Sequence, residues 1–218
     1  MTTSQQYAHK TEDYFTQTQA EVAEFISGTG NRILDIGCGE GRTGAYLKQI
    51  GKASEVHGVE LMPEIAQRAR VRLDSVLCGN LESMELPFAG ASFDAIIATE
   101  VLEHLIDPGA LLRRLRPLLR PGGVMAVSTP NMRHIRVIYG LMVRGDWRYE
   151  DSGPLDRTHL RFFTRKSLRR LLDESGYTAL MMKPVLLAKA RVINTLTLGL
   201  MEELLAYRYY GVGRAGPP

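Results

Sequence analysis

The stretch "RILDIGCGEGRTGAYL", residues 32–47, limits the fold more than any other part of the chain. A short, branched apolar run ends in glycines, and helical spacing resumes directly after them. The pattern predicts a buried strand at 32–36 turning into a helix at about 41–50. The rhythm then repeats, with a strand at 55–60, a helix at 62–72 with Pro63 in its first turn, and strands at 74–79 and 92–99. A helix is expected at 100–105. Asp107-Pro108 reads as an N-cap followed by a first-turn proline, with Leu111, Leu112 and Leu115 along one face. "PGG" (121–123) turns the chain into a strand at 124–129. Strands alternating with helices make parallel βαβ units, so the fold class is α/β with a doubly wound, mostly parallel sheet.

The flanks are less regular. Residues 11–27 place Phe15, Val22, Phe25 and Ile26 at helical spacing, which predicts an amphipathic helix packed over the domain. Residues 130–163 mix aromatic and charged side chains without a clean period, and an irregular stretch of that length reads as a substrate lid. A helix at 164–175 is capped by Thr164 and stopped by Gly176. Strands at 177–188 and 206–213 flank a helix near 192–204, completing seven strands. We read residues 1–218 as one domain: N-terminal helix 11–27, core 30–130, lid 130–163, and C-terminal helices and strands 164–218.

Composition narrows the function classes. With 44% apolar and 23% charged residues, the chain is ordinary for a soluble globular protein. No apolar run approaches the roughly 20 residues needed to span a bilayer, and residues 1–20 are polar, unlike a secretory signal. Cys38 and Cys78 form no CxxC pair, so a reducing, cytoplasmic compartment is expected. The formal charge of +3 permits an anionic acceptor without demanding nucleic acid. The arginines of "RRLRPLLR" (113–120) and "RKSLRR" (165–170) fall on a solvated rim, because their leucines take the inward positions. The C-terminal "INTLTLGLMEELLAY" carries Glu202-Glu203 and no lysine, which argues for core packing over membrane contact.

A glycine-rich strand-to-helix turn lets a ligand approach the main chain and its N–H groups. The dinucleotide pattern G-x-G-x-x-G fails from Gly37, where the sixth position is Arg42, and fits only two residues late from Gly39. Another set falls in register: "LDIGCGEG", "VE" ending at Glu60, "CGNLE" (78–82), "VLEHL" (101–105) and "RPGG" (120–123). Together these resemble the class I S-adenosylmethionine (SAM)-dependent methyltransferases, closely over about 30–130 and more loosely beyond. The resemblance implies a Rossmann-like seven-stranded sheet with an antiparallel C-terminal strand, and SAM as cofactor. It implies that the loop at Gly37, Cys38 and Gly39 meets the methionine end, with Asp35 fixing the turn or facing the ammonium. Glu60 would accept both ribose hydroxyl protons, and Leu61 and Leu81 would sandwich the adenine. Asn80 stands where the family more often has aspartate; its amide oxygen can still accept from the adenine amino group.

Two segments are candidates for the chemistry. In "TEVLEHL" (99–105), Glu100, Glu103 and His104 stand at i, i+3 and i+4, so one helical face can present all three. E-x-x-E-H resembles the metal-binding set of some ubiquinone-biosynthesis O-methyltransferases and small-RNA 2′-O-methyltransferases, which implies Mg²⁺ or Mn²⁺ on an acceptor hydroxyl. The alternative is that Glu100 lines the cofactor pocket while Glu103 and His104 order the turn, so metal dependence stays open. "LDRTHLRFFT" (155–164) resembles a segment of bacterial small-molecule and sugar methyltransferases. There His159 is a candidate general base or further metal ligand, oriented by Asp156, with Arg157 or Arg161 for an anionic group. Equally, the stretch could dock the lid. Tyr7, Tyr14 and Trp147 are candidates for the acceptor pocket or for plain packing. The expectation is methylation, O-directed, of a small molecule or a glycan or lipid precursor, with no nucleic acid and no stable membrane insertion. A dinucleotide oxidoreductase and a non-catalytic binding protein are the alternatives.

Overall fold

The computed structural model describes residues 15–216. Seven strands form one sheet in the order β3-β2-β1-β4-β5-β7-β6. They are β1 (Asn31–Ile36), β2 (Ala53–Glu60), β3 (Ser75–Cys78), β4 (Phe93–Thr99), β5 (Leu119–Pro130), β6 (Tyr177–Val185) and β7 (Arg208–Ala215). β1 to β5 pair in parallel, and β7 lies antiparallel between β5 and β6. β7 is therefore the one reversed strand, and its first residues stand at the carboxyl ends of the others. The helices are α1 (Arg42–Gln49), α2 (Pro63–Ala69), α3 (Pro108–Leu115), α4 (Ile135–Met142), α5 (Arg165–Glu174), α6 (Ala188–Leu196) and α7 (Glu202–Leu205).

Alternation along the strands divides the core in two. Leu34, Ile36, Ile96, Met125, Val127 and Tyr209 pack with Leu111, Leu112 and Leu115 of α3 and Leu168 and Leu172 of α5. On the opposite face Ile33, Val56, Ile97, Ala126 and Tyr210 pack with Leu47 of α1 and Ala66 and Ala69 of α2. Covering both faces of a parallel sheet with helices explains why its strands read as near-continuous apolar runs. Asp107 caps α3 by accepting from the Ala110 N–H at 2.8 Å, and Thr164 caps α5 through a reciprocal bond with Ser167.

Four expectations are corrected. Of the helix expected at 11–27, residues 11–14 lie outside the described residues, Phe15 is helical, 16–19 are not, and Ala20–Glu24 form a 3₁₀ turn. The backbone there is committed elsewhere: Gln19 N–H donates to Thr43 Oγ1 at 3.1 Å, and Glu40 N–H donates to the Phe15 carbonyl at 3.2 Å. The helix expected at 100–105 is a 3₁₀ turn at Leu102–His104. Glu100 is left-handed at φ 56°, and its N–H is spent on the Ser128 carbonyl at 3.1 Å. Within 130–163 lies α4, which is eight residues long and buries only Val137, too short a run to establish a helical period within an irregular stretch. The expected helix near 192–204 splits into α6 and α7, and α6 buries none of its residues, with Leu196 and Leu198 exposed at 78% and 90%. That crossover packs α6 against α7 rather than on a face of the sheet, so core packing does not describe it. No helix among the described residues is long and apolar enough to cross a membrane.

Candidate active site

At the carboxyl ends of the parallel strands lies a cleft of about 280 Å³. Ligands of open α/β sheets bind at such a crevice. Asp35, Gly37, Cys38, Gly39, Glu60, Leu61, Asn80, Leu81 and Glu100 all line it, and so do Glu103, His104 and His159. The chain order of these residues gave no hint of how they divide between the two ends of the cleft.

At the β1–β2 end the ligand-facing groups are held by the fold itself. Gly37 has φ 67°, and a Cβ there would come 2.5 Å from Val101 Cγ2, so only glycine fits. The N–H groups of Gly37 and Cys38 both donate to the Val59 carbonyl, at 2.8 and 3.1 Å. Gly39 N–H donates to Glu60 Oε2 at 3.0 Å, and Gly41 N–H to the Cys38 carbonyl at 2.9 Å. The amides expected near the methionine end therefore already have partners within the protein: the loop offers close approach, and its donors close the turn. Glu60 also accepts from the Met62 N–H at 3.0 Å. Each of its oxygens holds one backbone donor and keeps lone-pair capacity for a hydroxyl. Burial raises the Glu60 carboxyl above its ordinary range, while those backbone donors pull it down.

Asp35 is 2% exposed, and its Oδ2 has no hydrogen-bond partner among the described residues. Burial first, then the Glu60 charge, push its carboxyl up to about 8. A buried oxygen facing a cleft without a donor suits an incoming ammonium. Asn80 is less available than the sequence suggested, because its Oδ1 accepts from the Glu82 N–H at 2.9 Å.

At the other end the lid supplies the structure. Leu160 and Arg161 donate their N–H groups to the Glu103 carbonyl at 2.7 and 2.9 Å, tying the lid to the turn after β4. Glu103 is 1% exposed, yet neither carboxyl oxygen has a partner among the described residues. Burial, then the neighbouring Glu100 charge, hold it well above the usual carboxylate range. The His104 and His159 rings meet edge to face at 4.8 Å. His104 Nδ1 lies 3.2 Å from the Thr158 carbonyl, and His159 Nδ1 lies 3.2 Å from the Pro154 carbonyl. A carbonyl only accepts, so both Nδ1 atoms are assigned a proton, which leaves Nε2 as the atom through which either ring could accept or bind a ligand. One ligand atom from each of Glu103, His104 and His159 lies within 4.8 Å of the others.

Glu100 does not join that group. Its Oε1 accepts from Ser128 Oγ at 2.7 Å and lies 3.8 Å from Arg208 Nη1. The single helical face expected for Glu100, Glu103 and His104 is lost with the helix, and the lid's His159 stands where Glu100 was expected. Asp156 is buried and binds the Thr158 N–H and hydroxyl at 2.9 and 2.8 Å, shaping the loop that carries His159. Arg157 pairs with Asp151 within the lid, and Arg161 donates to the Ile106 carbonyl, tying the lid to the segment after β4. Trp147 meets Phe162 edge to face at 5.5 Å and does not line the cleft, and Tyr7 and Tyr14 lie outside the described residues. Arg208, Gln19 and Ser128 were not foreseen. The available signal was the position of "YRYY" at the start of a strand that, once reversed, begins over the cleft.

One crevice thus holds a buried Asp35 carboxylate with an oxygen that lacks a partner among the described residues and a Glu60 carboxylate held by backbone donors. The chain belongs to the methyltransferase domain family, whose model matches residues 7–181. A ubiquinone biosynthesis O-methyltransferase of Cereibacter sphaeroides is 33% identical over 175 residues, covering 75% of this chain and 69% of that one. One from Xanthomonas axonopodis is 36% identical over 172 residues, covering 71% and 69%. Among solved structures, a SAM-dependent methyltransferase from Mesorhizobium loti has a TM-score of 0.65 at 20% identity, covering 94% of this chain and 100% of that one. The 1,6-didemethyltoxoflavin-N1-methyltransferase of Burkholderia thailandensis, solved with S-adenosylhomocysteine, has a TM-score of 0.61 at 22% identity, covering 94% and 82%. This chain is a SAM-dependent methyltransferase with SAM as its cofactor, and the oxidoreductase and binding-protein alternatives are set aside.

Proposed function

We propose that the enzyme methylates a hydroxyl of a small molecule or of a glycan or lipid precursor, and that Glu103, His104 and His159 receive that hydroxyl. The observation that carries this reading is Glu103, a buried carboxyl with two unpartnered oxygens beside two imidazoles. Leaving such a group unmet costs free energy, so the arrangement calls for a ligand. The relatives from Cereibacter and Xanthomonas are both O-methyltransferases, which favours oxygen over nitrogen as the acceptor atom.

SAM, when bound, supplies an electrophilic methyl group on a sulfonium. Asp35 would face its ammonium and Glu60 its ribose diol, while Leu61 and Leu81 would flank the adenine. At the lid end, one carboxylate and two imidazoles fit a divalent ion such as Mg²⁺ or Mn²⁺, which supplies Lewis-acid polarisation of the hydroxyl. Glu103, His104 and His159 would hold it. The Nδ1 bonds to the Thr158 and Pro154 carbonyls fix both rings, as outer partners of metal-binding histidines do. A second reading rests on the same anchoring: His159 Nε2, oriented as a lone-pair atom, takes the hydroxyl proton directly.

Labelled-methyl transfer from SAM to phenolic and amine acceptors, with Mn²⁺ or with chelator, tests the proposal. Transfer to phenols that chelation removes and Mn²⁺ restores is expected. Turnover unchanged by chelator, with no Mn²⁺ bound, would leave the His159 reading, in which His159→Ala costs about 10²–10⁴ in kcat. Transfer to amines alone would overturn both.

A further inference from the structure

Among the described residues, six carboxylates line the cleft, those of Asp35, Glu60, Glu82, Glu100, Glu103 and Asp156. Arg208 is the one lysine or arginine among the described lining residues. It begins β7, paired with Pro130 of β5 on one side and Val185 of β6 on the other, so its base is fixed by the sheet. Its side chain is only 15% exposed. Gln19 Oε1 accepts from Nη1 at 2.8 Å and from the Tyr210 hydroxyl at 2.9 Å, which clamps the guanidinium beside the glycine loop. Gln19 is itself held to the first turn of α1 through Thr43.

The guanidinium is not satisfied there. Nε is buried with no partner among the described residues, and Glu100, at 3.8 Å, is at ion-pair range but beyond a hydrogen bond. An arginine can place two parallel N–H groups on a carboxylate. The main-chain donors of the glycine loop from Gly37 to Gly41 are spent within the protein. Among the described residues, a ligand carboxylate entering this acidic cleft has one lysine or arginine side chain to meet.

We propose that Arg208, clamped by Gln19, is the carboxylate receptor of the cleft and takes the α-carboxylate of the cofactor's methionine end. The methionine end is a zwitterion, and the two halves of the site divide it by charge: Asp35 and Glu100 face its ammonium, and Arg208 faces its carboxylate. The assignment rests on SAM as the cofactor and is independent of the hydroxyl chemistry proposed above. An acceptor that carries a carboxylate would present the same chemistry, and the test separates the two sources.

Binding of S-adenosylhomocysteine is compared by calorimetry with binding of its decarboxylated analogue, which differs only in lacking the carboxylate. The native protein should prefer S-adenosylhomocysteine by about tenfold to a hundredfold, the range expected for a charge-assisted hydrogen bond. Arg208→Met should erase that preference, lowering affinity for S-adenosylhomocysteine and leaving the analogue's unchanged, and Arg208→Lys should restore part of it. Equal binding of both ligands by the native protein overturns the proposal without any variant. Equal weakening of both ligands in Arg208→Met overturns it too, in favour of a structural role. An unchanged ligand preference with a raised KM for the acceptor would move the carboxylate to the acceptor, against the proposal.

Discussion

Glu60 and Glu103 are the same side chain at the two ends of one cleft, 6% and 1% exposed, and the fold treats them in opposite ways. Glu60 receives a backbone N–H on each oxygen, from Gly39 and Met62. Glu103 receives none among the described residues. The first carboxylate is organised before any ligand arrives, since its donors belong to the turn that ends β1 and the turn that ends β2. The second lies between a short 3₁₀ turn and the lid, and its environment is complete only with a proton, a cation or a hydroxyl. A preorganised end suits an invariant ligand, and an unsatisfied end suits the step where charge changes.

Substitution at the two sites should separate these roles. Glu103→Gln removes the anion at nearly constant volume; kcat is expected to fall about a hundredfold or more while S-adenosylhomocysteine affinity holds within about twofold. A thermal melt without ligand should show the variant at least as stable as the parent, and increasingly so as pH rises, because the amide cannot ionise in a buried site that disfavours the charged carboxyl. If affinity falls with kcat, the two ends are not independent and the comparison breaks.

Glu60→Gln should act the other way. An amide has one acceptor oxygen, so its NH₂ must face either Gly39 N–H or Met62 N–H, and a buried donor facing a donor costs about 1–3 kcal/mol. Calorimetry should show S-adenosylhomocysteine binding weakened by about tenfold or more, and denaturation should show lower stability. Unchanged stability would mean that the turn does not depend on those two bonds.

Asp35 gives the smallest effect and a pH signature. Its carboxyl is raised from 3.8 to about 8 in the fold. The folded form then keeps a proton that the unfolded chain has released, so the stability this group contributes is complete below about pH 4 and is lost as pH rises towards 8. Asp35→Asn does not titrate. Its melting temperature should match the parent's near pH 4 and exceed it near pH 8, by a few degrees. A difference that does not grow with pH would show that Asp35 does not carry the shift.

Much of the fold was legible because it follows from local rules. The apolar runs of β1, β2 and β4, the Asp107 and Thr164 caps, and the glycines at 37 and 39 each state their structure within a few residues. Where local pattern failed, distant partners had taken over the backbone. Gln19 bonds Thr43 instead of continuing a helix, and Glu100 bonds Ser128 and turns left-handed. The cofactor end of the site was legible for the same reason as the strands, since its residues sit at strand ends whose positions periodicity gives. The acceptor end was legible only as separate fragments.

The sequence by itself determined the alternation of strands and helices and the glycine turn, because hydrophobic period and positive φ are properties of short segments. It also supplied Asp35, Glu60, Glu103, His104 and His159 as chemistry. Tertiary structure decided which of them meet: His159 rather than Glu100 beside Glu103, and Arg208 beside Gln19 and Glu100. Those choices depend on a reversed strand and a docked lid, whose positions come from contacts between residues as far apart as Gln19 and Arg208. Proximity of that kind has no signature along the chain.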